Sequence, residues 1–177
     1  MIYVALLRGI NVSGQKKILM ADLRKLLSNS GLENVKTYIQ SGNVLFRTVK
    51  NSRQQIEKEI HHAIKSHYEF DVSVIIKKPE ELKEILDACP FNDEKKQKSY
   101  FTMLHSLPDK RLVEEARQKQ YPGEEYHIIN DCIYFYSATG IGKAKFNTNF
   151  FDRKLNTTST TRNYNTMMKL LSLSAEM

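Results

Sequence analysis

Arg8, Asn11, Lys16 and Lys17 fall inside one short stretch, "LLRGINVSGQKK", which is broken by Gly9 and Gly14. These residue types suit anion recognition. The cations supply charge, the asparagine supplies a donor, and the glycines let backbone N–H groups approach a ligand closely. A second polar turn, Gln40-Ser41-Gly42-Asn43, offers further donors without charge. A third stretch, "TTRNYN", places Arg162 and Asn163 in the first turn of a final helix capped by Thr161. A cation there opposes the helix dipole, so a bound anion is one reason to keep it. Each stretch also has a structural explanation. Glycine and asparagine make tight turns and bond their own loops, and Arg162 can equally pair with a carboxylate. The candidate ligand-binding set is Arg8, Asn11, Lys16, Ser41, Asn43 and Arg162.

Other chemistries fit less well. "SATGIGKAK" lacks the first glycine of a Walker A loop and carries Ala144 where Ser or Thr should hold magnesium. No GxGxxG follows a strand. The histidines at 61, 62, 67, 105 and 127 form no metal-ligand spacing, and His61 and His62 face apart on a helix. No metal is expected and no cofactor is assigned. Ser41 sits in a tight turn like a nucleophile, but no base is placed beside it. No catalytic residue is named, and whether the protein is an enzyme stays open.

The net charge of +7 is uneven. Residues 1–50 hold eight Lys/Arg against two acids, and residues 137–177 hold six against two, leaving the middle at −3. A positive field at both ends favours an anionic partner near the termini. Hydrophobic residues make up 41%, which suits a globular core rather than disorder. No apolar run reaches membrane-spanning length, and "MIYVALLRGI" does not read as a signal peptide. Cys89 and Cys132 are the only cysteines, and they fit a reduced pair of thiols. A cytoplasmic location without membrane contact is expected.

The residues that would build the site need elements to position them. Ile2–Leu7 is apolar on both alternating faces and predicts a central strand. Met20, Leu23, Leu26 and Leu27 repeat at helical spacing before Gly31. "VKTYIQ" and "VLFRT" read as strands around the "SGN" turn. Ser52 and Gln55 suggest a capping box for a helix bearing Ile56, Ile60 and Ile64. "VSVII" completes β-α-β-β-α-β, the ferredoxin-like split. The second half reads α-β-α-β-β-α: helices opened by Pro79 and Asp109, "YFTML" as a strand, a hairpin turning at Asn130-Asp131, and a last helix. "FNDEKKQKS" (residues 91–99) reads as a linker. The expectation is an α+β fold with a ferredoxin-like unit at 1–78 and a second, partly similar α+β unit at 79–177. In a ferredoxin-like unit the first strand ends beside the turn joining the second and third. "RGINVSGQKK" and "QSGN" should therefore meet in space.

"LLRGINV", "MADLRKLL", "TYIQSGNVLF" and "TTRNYNT" occur in this order, and the sequence resembles the bacterial domain-of-unknown-function 1697 family. The resemblance implies an α+β fold of ferredoxin-like parts and brings no activity, substrate or cofactor. Ser13 stands where that family usually has glycine, and Tyr164 where it commonly has tryptophan. The leading functional expectation is a protein that binds a small anionic ligand, a nucleotide or phosphorylated metabolite, at the two loops. A nucleic-acid-binding module is the alternative, resting on charge and fold class. It is weakened because Asn43 and Leu45 occupy the positions where an RNA-recognition sheet carries stacking aromatics. An assembly protein with purely structural motifs is the third reading, and oligomeric state is left open.

Overall fold

Six apolar residues in succession make Ile2–Leu7 a strand that must be covered on both faces. In the computed structural model, which describes residues 1–177, this is β1, and its interior positions are fully buried. The next elements are α1 (Met20–Asn29), β2 (Glu33–Tyr38), β3 (Asn43–Arg47), α2 (Arg53–Tyr68) and β4 (Val74–Lys77). The strands form one antiparallel sheet in the order β2-β3-β1-β4. That is the sheet order of the ferredoxin-like split. Tyr3, Ala5, Leu7, Val44, Phe46 and Ile76 line one sheet face and meet Leu23, Leu27, Ile56, Ile60 and Ile64 from the two helices. Each fully buried aliphatic side chain there contributes about 1.5–3 kcal/mol. Ser52 caps α2 through the Gln55 N–H, but the Gln55 side chain turns to Glu59, so only half of the expected box forms.

The remaining elements are α3 (Pro79–Asp87), α4 (Asp93–Gln97), β5 (Tyr100–Leu104), α5 (Lys110–Arg117), β6 (Glu124–Ile129), β7 (Cys132–Ser137), α6 (Thr148–Lys154), β8 (Ser159–Asn163) and α7 (Tyr164–Ala175). Their sheet runs β6-β7-β5-β8. From β5 to β8 the chain repeats β-α-β-β-α-β with the same sheet order as the first unit. The expected second unit lacked its last strand and its second helix. "STTRN" is that strand and "TNFFDRK" that helix. The expected linker is also corrected: Asn92 accepts a hydrogen bond from the Lys95 N–H, and residues 93–97 form α4.

Two units emerge: Met1–Lys83 with Lys169–Met177, and Glu84–Met168. The boundary falls inside α3 rather than before it, and the end of α7 belongs to the first unit.

Candidate functional site

Leu7 is the last residue of β1, and its N–H donates to the Gly42 carbonyl at 2.8 Å. The next N–H, that of Arg8, donates to the Ser73 carbonyl at 3.0 Å. These two bonds bring the β1–α1 loop, the β2–β3 turn and the α2–β4 connection to one end of the first unit. Gly42 permits the approach. A Cβ there would lie 2.5 Å from the Leu7 Cβ, and its φ of +80° is open to glycine.

Asn11 closes the loop on itself. Its Oδ1 accepts from the Ile18 N–H at 2.9 Å, and its Nδ2 donates to the Ile18 carbonyl at 3.0 Å. The same Nδ2 donates to the Gln40 carbonyl at 2.9 Å, which ties the loop to the turn. Asn43 is fully buried, and its amide donates to the Tyr38 carbonyl and to Ser41 Oγ, both at 3.0 Å. Lys16 Nζ donates to the Asp71 carbonyl at 2.6 Å. Arg8 and Ser41 are half-buried, while residues 12–17 are all exposed.

The two stretches that the topology should bring together do meet, and Asn11 is the link. Asn11 and Asn43 spend their amides on the protein itself, and Lys16 straps the loop to its neighbour. The backbone here is unusual. Asn11, Ser13 and Lys16 adopt φ of +56°, +49° and +45° alongside Gly9 and Gly14. A non-glycine residue in this region costs on the order of 1 kcal/mol or more.

Arg162 is placed differently from expectation. It lies in β8, opposite Phe101, rather than in the first turn of α7. Asn163, not Thr161, caps α7 by accepting the Thr166 N–H at 2.9 Å. Arg162 is buried, donates to Thr160 Oγ1 and the Thr161 carbonyl at 2.8 Å each, and belongs to the second unit. Burial pulls its pKa down to about 10.

At this end of the first unit the sequence raises His61 only as a metal ligand and does not single out Lys65 or Asp71. His61 Nε2 and Lys65 Nζ both lie 3.0 Å from Asp71 Oδ1. Their i, i+4 spacing on α2 was the available signal. Lys65 first, and then His61, hold the Asp71 carboxyl below the usual carboxylate range. No three His, Cys, Asp or Glu side chains converge as a metal site. No helix is long and apolar enough to cross a membrane.

Sequence comparison adds the family. A model described as "Protein of unknown function (DUF1697)" matches residues 1–134. The chain belongs to that family. Three of the four motifs that carry the resemblance lie inside this span, and "TTRNYNT" lies beyond it. No curated protein matches the sequence. Among solved structures, the chain is similar to the conserved bacterial protein SP0830 from Streptococcus pneumoniae. The two share 25% identity over 98% of each chain, with a TM-score of 0.77. That structure extends the α+β likeness over the whole chain, including the part past the family match.

Proposed function

We propose that this family member is a cytoplasmic protein that binds a small anionic ligand, a nucleotide or phosphorylated metabolite, at the β1–α1 loop and β2–β3 turn. The pinned loop carries the reading. Asn11 and Lys16 fix both flanks of an exposed segment that ends in two lysines. Its backbone holds three non-glycine residues in the left-handed region. Strain of this kind persists where the surroundings over-determine it, and it clusters at ligand clamps. Within the candidate set, Arg8 and Lys16 supply charge, Ser41 a hydroxyl, and Asn11 and Asn43 the rigidity. Lys17, exposed at the end of the loop, adds a second cation. Arg162 lies in the other unit, and its burial leaves it a structural role.

A base-stacking nucleic-acid mode has less support. Tyr3 and Phe46, the aromatics of the two middle strands, stack in the helix-covered core, and Asn43 and Leu45 on the other face are fully buried. Two free cysteines, one of them buried, accord with a reducing compartment.

A thermal-shift screen against nucleotides, sugar phosphates and short oligonucleotides tests the reading. Binding to the native state stabilises it by about 2.7 kcal/mol when ligand is a hundredfold above Kd. The expected result is a shift from one phosphorylated small-molecule class, reduced in Lys17→Ala and Arg8→Ala proteins that still fold. A shift from oligonucleotides alone, or from nothing, overturns it.

A further inference from the structure

Asp71 is held by three basic side chains at once. His61 and Lys65 converge on a single oxygen, Oδ1, and Lys16 grips the carbonyl of the same residue. The placement of Lys65 in the last turn of α2 has a simple cause, since a cation there complements the helix dipole, whereas His61 sits mid-helix. The dipole does not account for their convergence on one atom, or for the lysine that reaches across from another loop. Asp71 is 65% exposed, so its side chain can swing into solvent.

We propose that the anion site has a second compartment, formed by Lys16, His61 and Lys65, which the Asp71 carboxylate occupies until a phosphoryl group of the ligand displaces it. The proposal rests on the anion-binding reading above and deepens it, because it selects among anions. A ligand carboxylate brings one charge and two oxygens, which is what Asp71 already supplies. Exchanging one for the other gains nothing at this position. A phosphoryl group brings nearly two charges and three terminal oxygens. It can offer Lys16, His61 and Lys65 an oxygen each, where Asp71 offers one oxygen to the Lys65 ammonium and the His61 imidazole together. Asp71 is thus a resident competitor that a carboxylate cannot outbid and a phosphate can. The other charged groups at this end are the half-buried Arg8, with Lys17 on the loop and Glu69 at the end of α2, both exposed. His62, next to His61, turns away to Ser66 Oγ at 3.4 Å.

The test uses the isotope-labelled full chain, titrated with inorganic phosphate and separately with acetate at matched ionic strength, with backbone amide shifts followed by NMR. Phosphate is expected to move the Lys16, Lys65 and Asp71 signals at concentrations where acetate does not. Asp71→Asn keeps the carbonyl that Lys16 holds and removes the competing charge. It should tighten phosphate binding about three- to tenfold, the scale of one partly screened charge interaction. Lys65→Ala should weaken it by a similar factor. Phosphate shifts confined to Arg8 and residues 40–43, unchanged in Asp71→Asn, overturn the second compartment and leave the anion-binding reading standing. Equal binding of acetate and phosphate, or tighter phosphate binding in Lys65→Ala, also overturns it. Binding of neither anion removes both readings.

Discussion

The two units solve the same folding problem with the same bonds and then diverge at one end. In the first, Leu7 N–H meets the Gly42 carbonyl and Arg8 N–H meets the Ser73 carbonyl. In the second, Leu104 N–H meets the Asp131 carbonyl at 2.8 Å and His105 N–H meets the Thr158 carbonyl at 2.8 Å. The strand registers agree as well, with Leu6 opposite Asn43 in one and Met103 opposite Cys132 in the other. The closure itself therefore asks only for a generic hairpin turn, such as Asn130-Asp131. What the first unit adds is a longer β1–α1 loop, residues 8–19, an asparagine staple and a set of cations. The second unit spans the equivalent gap with residues 105–109 and presents a groove of about 340 Å³ with Pro108, Val113, Ile128 and a 72% exposed Leu107 in its wall. Additions that the fold does not need are the features to test for function.

The comparison can be broken most severely at Gly42. Gly42→Ala forces a Cβ into the Leu7 Cβ and keeps a left-handed φ. About 3 kcal/mol should be lost, the sum expected of overpacking and backbone strain. Asp131→Ala, at the matching position, should lose less than about 1 kcal/mol. Urea titration followed by circular dichroism measures both. Equal losses would mean that the two turns are interchangeable. Asn43 comes next. Asn43→Ala removes a buried amide and leaves the Tyr38 carbonyl and Ser41 hydroxyl without that donor, a cost of about 2 kcal/mol. Cys132→Ala deletes a buried thiol, a weaker hydrogen-bonding group than an amide, and should cost about half as much. The same titration ranks them, and the reverse order would remove the special role given to the asparagine.

Much of this architecture was legible in the sequence, for reasons visible in particular residues. Ile2–Leu7 and the helix bearing Leu23 and Leu27 announce themselves through apolar spacing. The meeting of "RGINV" with "QSGN" followed from topology alone. The misreading that moved a site residue falls where polar residues are buried. β8 is "STTRN", and its inward positions are filled by a Thr102 Oγ1–Thr161 Oγ1 bond at 2.8 Å and by Ser159 donating to Asp152 at 2.6 Å. A strand that satisfies its interior with hydroxyls carries no hydrophobic period to read. With β8 unseen, Arg162 was drawn into the helix that follows it. The site was half legible for a related reason. The sequence shows which side chains are polar, but not that Asn11 and Asn43 turn theirs inward, nor that Asp71 draws His61 and Lys65 together.

Asn11→Ala should have a smaller effect, because the loop it staples is exposed. About 1 kcal/mol of stability is expected to go, with a clear rise in hydrogen exchange at the Ile18 amide, whose acceptor is lost. The second unit has no counterpart to weaken, so its exchange pattern should stay as it was. An unchanged Ile18 amide would show that the loop holds its shape without the staple.

The smallest effect concerns one surface ion pair in each unit. Lys50 hydrogen-bonds Glu59 in the first unit and holds its carboxyl below the usual range, with burial opposing and Gln55 adding to the shift. Lys154 does the same to Glu115 in the second, at 2.7 Å. The sign follows from linkage. A carboxyl with a lower pKa folded than unfolded gives stability that is complete above the unfolded value and fades as pH falls through the folded one. Glu59→Gln should therefore lower stability near pH 7 and converge on the parent protein between about pH 5 and pH 3. Glu59 is about a third exposed, so solvent screening holds the gap at pH 7 to about 0.5 kcal/mol or less. Glu115 is the more exposed of the two, and Glu115→Gln should open a narrower gap that closes in the same direction. Thermal melts of both variants across that pH range read the difference. A gap that widened toward acid would mean that neither lysine stabilises its partner's charge, and that surface ion pairs do not distinguish the units at all.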